Sequence, residues 1–90
     1  MLDIFYTSKF KKDYKKMVKQ GKPLQELEKI ITLLQKQEAL PEKHKDHQLT
    51  GNYAGFRECH ITPDWLLIYQ VKEEQLILAL ARTGSHSELF

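Results

Sequence analysis

Near its end, this 90-residue chain passes from an apolar stretch into Arg82-Thr83-Gly84-Ser85-His86-Ser87-Glu88-Leu89-Phe90. Arg82 carries a fixed cation whose forked donors match phosphate oxygens. His86 carries an imidazole, which ordinarily gives or takes a proton near neutral pH. Gly84 lets the chain bend between them, so both can face one site. Together they suit chemistry on a phosphodiester. The plain alternative is an arginine stem lying along a strand end and a histidine in solvent.

Further upstream, Glu58 and His60 are two apart in a strand-like segment, so they share a face, while Arg57, Cys59 and Ile61 point the other way. A carboxylate beside an imidazole can act as a general base, although a solvent-facing polar pair reads the same way. His47 lies in the polar segment Lys45-Asp46-His47-Gln48-Leu49-Thr50-Gly51, and Asp64 follows Pro63 at a turn. Taken singly, a loop histidine and a turn aspartate are ordinary surface residues. Trp65 reads as a core residue, but an exposed indole could stack on a base. One feature conflicts with a simple site: in a regular strand Arg82 shares a face with Leu76, Leu78 and Leu80. The strand must bulge or end before Arg82, or the site must span a sheet edge.

Other chemistries find no support. The histidines at 44, 47, 60 and 86 have no compact zinc-ligand spacing, and the single cysteine is isolated. There is no glycine-rich phosphate loop and no Gly-x-Ser-x-Gly elbow. Cys59 and His60 are strand neighbours facing opposite ways, so they are not a nucleophile–base pair. These spacings offer no sign of a metal or other cofactor.

The elements that must position these residues follow from periodicity. Leu2–Tyr6 reads as a strand. Thr7 or Ser8 can cap a helix, on which Phe10, Tyr14, Met17 and Val18 fall at helical spacing with lysines opposite. Gly21 suits a left-handed helix end and Pro23 the first turn of the next helix. That helix carries the stripe Leu24, Leu27, Ile30, Ile31 and Leu34. Residues 37–54 lack a period and read as a long loop. Strands follow at Gly55–Ile61, Trp65–Val71 and Gln75–Thr83, with Leu66-Leu67-Ile68-Tyr69 apolar enough for a central strand covered on both faces. The order β-α-α-β-β-β predicts an α+β fold: a helix hairpin on one face of a twisted, mainly antiparallel four-stranded sheet. The opposite face is left free for a concave site.

Composition bounds the setting. Hydrophobic residues make up 41% and charged residues 29%, as in a soluble globular protein, and the length suits one domain, residues 1–90. No apolar run approaches the roughly 20 residues that span a bilayer. The start, Met1-Leu2-Asp3-Ile4-Phe5, lacks the basic and apolar regions of a signal peptide. A lone cysteine fits a reducing cytoplasm. The net charge is only +2, but residues 1–22 carry seven lysines against Asp3 and Asp13. That is either a solvated helix face or a surface that attracts nucleic acid.

Three blocks in order, Lys45-Asp46-His47-Gln48-Leu49-Thr50-Gly51, Phe56-Arg57-Glu58-Cys59-His60-Ile61-Thr62-Pro63-Asp64-Trp65-Leu66-Leu67-Ile68-Tyr69 and Arg82 to Phe90, resemble the YafQ branch of the RelE/ParE toxin superfamily. The resemblance spans nearly the whole chain. It implies a RelE-like fold and a bacterial type II toxin that cuts messenger RNA, often on the ribosome, without a metal, and is silenced by a cognate antitoxin. It places His47, His60, Asp64, Arg82, His86 and Phe90 at positions implicated in activity, with Glu58 matching in some relatives. The expected roles are His86 as acid, Arg82 as phosphate clamp, His60 as base aided by Glu58 or Asp64, and His47 as substrate holder or partner in proton transfer. Phe90, Trp65 and Lys45 are expected to touch substrate. The alternatives are a toxin of this fold acting on DNA gyrase, which needs no acid–base set, and a non-catalytic RNA-binding module.

Overall fold

The structure, a computed structural model, describes residues Met1–Phe90. Five strands form one sheet: β1 (Asp3–Tyr6), β2 (His47–Gln48), β3 (Arg57–Thr62), β4 (Trp65–Lys72) and β5 (Ile77–Gly84), in spatial order β1-β5-β4-β3-β2. β1 runs parallel to β5, and all other neighbours are antiparallel. Two helices, α1 (Ser8–Lys19) and α2 (Leu24–Gln35), lie between β1 and β2, and a single turn, α3 (His86–Leu89), ends the chain. The α+β class and the helix hairpin are as expected. The expected strand count of four becomes five, because β2 forms inside the segment read as a loop. A two-residue strand carries no period to read.

Local chemistry explains the helices. Thr7 accepts the Phe10 N–H at 3.0 Å and so caps α1, while its own hydroxyl donates to the Ala81 carbonyl at 2.9 Å. The helix start is thereby tied to β5. Phe10 and Met17 are buried on the inward stripe of α1, and so is Asp13. Gly21, at φ +70°, ends the helix in the left-handed region that glycine occupies without strain. In α2 the stripe Leu27, Ile30 and Leu34 is buried. The end of α2 is fastened to β1, because the Leu2 amide donates to the Gln35 carbonyl at 2.9 Å and the Gln35 side chain returns a bond to the Leu2 carbonyl at 3.0 Å.

The main core lies between the helix pair and the sheet. Leu2, Phe10, Met17, Leu27, Ile30 and Leu34 meet Cys59, Ile61, Trp65, Leu67, Tyr69, Leu78 and Leu80. A smaller cluster occupies the other face: Leu66, Ile68 and Leu89, joined by Leu49, Tyr53, Phe56 and Ala81. β4 is therefore buried on both faces over Trp65–Tyr69, as its apolar run predicts. The second face is not fully bare, since α3 and the loop around Tyr53 cover its middle.

One irregularity decides where Arg82 points. Tyr69 pairs with Leu80, but Ile68 pairs with Arg82, so Ala81 is an extra residue in β5. This bulge shifts the alternation by one. Arg82 now lies opposite Ile68, away from the helix-covered face that Leu78 and Leu80 occupy. Thr83 takes the inward position, accepting the Trp65 indole N–H at 2.7 Å and donating to the Leu66 carbonyl at 2.8 Å. Of the ways to place Arg82 raised by the sequence, the structure realises the bulge.

Candidate active site

Register brings distant residues into two rows on the face away from α1 and α2. In the first row His47 pairs with Glu58, Glu58 with Ile68, and Ile68 with Arg82, crossing β2, β3, β4 and β5. In the second, two residues along each strand, His60 pairs with Leu66 and Leu66 with Gly84. Strand spacing puts Glu58 and Arg82 about 10 Å apart at Cα, and the rows about 6.6 Å apart. Side chains from such positions can reach one ribose–phosphate unit.

His47 stands at the sheet edge. Its Nδ1 lies 2.6 Å from the Lys45 carbonyl, and its Nε2 lies 3.5 Å from Glu58 Oε1. Both ring nitrogens face acceptors, so both contacts are made only when the ring carries two protons. Glu58 is 6% exposed, a nearly buried carboxylate whose ionisable neighbour is this histidine. Lys45 is exposed, with φ 47°, and contributes its carbonyl here rather than its ammonium.

His60 has the opposite character. Its Nδ1 lies 3.2 Å from the Pro63 carbonyl, so in the neutral ring Nδ1 carries the hydrogen and Nε2 the lone pair. That is the state a proton acceptor requires. The Thr62–Trp65 turn thus orients His60 through its backbone, with Asp64 exposed at the turn. Behind β3, buried His44 bonds the His60 carbonyl at 2.7 Å and pins the preceding loop to the sheet.

His86 opens α3 and is exposed, with its ring centroid 5.1 Å from that of Phe90. Phe90 is 54% exposed and also meets Tyr53 edge-on at 5.7 Å. A capping box holds this turn: Ser85 accepts the Glu88 N–H at 3.2 Å, and Glu88 accepts the Ser85 N–H at 2.8 Å. Those hydrogen bonds hold the Glu88 carboxyl below its usual range. Leu89 packs on Leu66 and Ile68, so α3 lies over the same face as the two rows. A side chain at Gly84 would meet Glu88 Oε1 at 3.2 Å, so glycine there lets α3 fold back closely.

Arg82 is not a free cation. Its Nε and Nη2 donate to Asp13 at 2.7 and 3.2 Å. These bonds, outweighing partial burial, hold the guanidinium above its ordinary range. Trp65 does not belong to the site: it is 0% exposed and its indole N–H is spent on Thr83, so it cannot stack on a base. Its assignment as a substrate contact is corrected. Burial also pushes the Cys59 thiol far up, which disqualifies it as a nucleophile.

Sequence reading passed over Asp13, Tyr53 and Asp46. Asp13 had a signal, because it falls three residues after Phe10 and four before Met17 on an apolar stripe where a carboxylate is out of place. Asp46 accepts from the Tyr69 hydroxyl at 2.5 Å and from Arg57 Nε at 3.2 Å, anchoring the loop beside His47. Burial, and then this bond, raises the Tyr69 phenol well above its ordinary range.

A five-stranded mixed sheet with a helix pair behind it, and histidines, a carboxylate and an arginine on the other face, defines an α+β protein with a polar site on the open side of its sheet. Residues 2–90 match the model of the bacterial toxin of type II toxin–antitoxin systems, YafQ, and the chain belongs to that family. It is 39% identical over 89 residues to the mRNA interferase toxin YafQ of Escherichia coli K12, covering 98% of this chain and 95% of that one. A crystal structure of metal-bound toxin from Helicobacter pylori superposes with a TM-score of 0.94 at 49% identity over the full length of both chains. The YafQ of the E. coli DinJ–YafQ complex gives 0.89 at 38% identity, covering 100% of this chain and 99% of that one.

A metal centre needs several donors close together. His47 Nε2 and Glu58 Oε1 offer one close pair. No group of three or more His, Cys, Asp or Glu side chains gathers closely enough to hold an ion. The residues do not fit a resident metal cage.

Proposed function

We propose that this chain, read as one RelE-like domain over residues 1–90, is an endoribonuclease toxin that cleaves messenger RNA and so inhibits translation. The observation that carries this reading is the register: one row holds His47, Glu58 and Arg82, the next holds His60, and α3 lays His86 over the same face. RNA brings its own nucleophile. His60, with Nε2 free, takes the proton from the 2′-hydroxyl, whose oxygen attacks phosphorus. Arg82 stabilises the charge that develops on the phosphorane oxygens. His86 protonates the departing 5′-oxygen, giving a 2′,3′-cyclic phosphate and a 5′-hydroxyl. Glu58 holds His47 as a second proton carrier, Phe90 stacks against a base, and Lys45 and Asp64 lie at the rim toward the flanking strand.

The relatives' names support this reading: the E. coli relative is an mRNA interferase toxin, and a YafQ has been crystallised with DinJ. The partner proposed here is a cognate antitoxin, and the substrate is messenger RNA on the ribosome. No helix is long and apolar enough to cross a membrane, and the lone buried Cys59 suits a cytoplasmic protein. The test incubates purified protein with messenger RNA, with and without ribosomes and with EDTA, and maps ends by primer extension. Cleavage that persists in EDTA and leaves cyclic phosphate ends is the expected result. Intact RNA in every arm, together with stalled gyrase on DNA, would favour the gyrase alternative.

A further inference from the structure

Asp13 is 6% exposed on the inward stripe of α1. Burying a carboxylate is costly unless it is paired, and a buried ion pair adds little stability over well-packed apolar residues. An apolar residue in phase with Phe10 and Met17 would serve the core at least as well. What Asp13 does instead is hold the strand end that carries Arg82. β1 stops pairing with β5 at Leu80, and Thr7 takes the Ala81 carbonyl. The next free edge amide, Thr83 N–H, donates to Asp13 Oδ2 at 3.1 Å. The same carboxylate receives Nε–H and one Nη2–H of Arg82.

We infer that Asp13 is a positioning residue for the proposed cleavage: it grips the side-on edge of Arg82 and pins the bulged strand end, so that the guanidinium meets the phosphate end-on. A guanidinium has five N–H donors. Asp13 uses two, leaving the Nη1 pair and the second Nη2 hydrogen as a fork for two phosphate oxygens. The bulge at Ala81 sets the direction and Asp13 sets the reach. Tyr53 belongs to the small cluster on the open face. The helix that carries the lysine-rich surface therefore takes part in the site through its buried side.

This inference rests on the RNA-cleaving reading, and the experiment separates the two. Single-turnover cleavage of an RNA oligonucleotide is measured for wild type, Asp13→Asn, Arg82→Ala and the double variant, with thermal melts as a folding control. Asp13→Asn retains an acceptor for the Thr83 amide but loses the charge. It is expected to cut about 10–100-fold more slowly at saturating RNA, as a misplaced reacting group does. The double variant should be no slower than Arg82→Ala alone, since Asp13 acts only through Arg82. Wild-type cutting by Asp13→Asn, or losses that multiply in the double variant, would overturn the inference while leaving the RNA-cleaving reading intact. A wild type that does not cut RNA would fail the reading itself. Should Asp13→Asn melt below the assay temperature, the wild-type protein supplies the test. The Arg82 Nε–H NMR signal is expected to stay protected when a 2′-deoxy oligonucleotide binds. Loss of that protection would mean phosphate displaces Asp13, which contradicts end-on presentation.

Discussion

The two faces of the sheet are built on different terms. The helix-covered face is continuous and apolar, with large side chains from α1, α2 and three strands in mutual contact. The other face has only a small apolar cluster, Leu66, Ile68 and Leu89, and around it stand Glu58, His60, Arg82 and His86. One face secures the fold, and the other uses that rigidity to hold polar groups in register. Polar residues on the second face are thus expected to matter for chemistry far more than for stability, and the apolar residues on the first the reverse.

Substitutions can break this contrast, and the largest expected effect is on the open face. His86→Ala should cut cleavage by about 10²–10⁴-fold while the melting temperature holds, because the exposed ring buries little. A matching loss of stability and activity would erase the distinction between faces. On the other side, Leu27→Ala removes a side chain that is 2% exposed and should destabilise by about 2–5 kcal/mol. Denaturant titration checks this, and cleavage per folded molecule should be unchanged.

Trp65→Phe sharpens the comparison, since this residue was expected on the substrate and is found in the core. It leaves Thr83 without its indole donor and should cost about 1–3 kcal/mol. Chemical denaturation should show the cost, and RNA affinity of the folded fraction should match wild type. The smallest effect is expected at Glu88→Gln, which weakens the capping box of α3 by about 0.5–1 kcal/mol. Because the folded-state Glu88 pKa is lowered, its contribution is present above the unfolded carboxyl value and is lost as pH falls through the folded one. Amide exchange in α3 should therefore differ between wild type and Glu88→Gln at neutral pH and converge in acid.

What the sequence made legible follows the same division. The stripes of α1 and α2 and the doubly apolar β4 are repeated signals, each confirmed by several residues, so the helix-covered face could be read directly. The shared face of Glu58 and His60 was readable because β3 is regular there. The presentation of Arg82 was not, because a single bulged residue reverses the alternation and nothing in Ala79-Leu80-Ala81 announces it. β2 escaped notice since pairing, not periodicity, defines two residues. The Asp13–Arg82 pair joins residues 69 positions apart, and only the odd charge on an apolar stripe hinted at it. Which ring nitrogen of His60 faces the open site was also beyond the sequence, since the Pro63 carbonyl occupies the other.

The most direct test of the central claim, that the two rows and α3 form one site for a single phosphodiester, is a structure of the protein bound to a messenger RNA strand with a 2′-deoxy residue at the cleavage position. The account predicts the uncut phosphate on Arg82, with His60 on the side of the 2′ position and His86 on the side of the 5′-oxygen. RNA lying along the lysines of α1, with its backbone out of reach of both histidines, would contradict it.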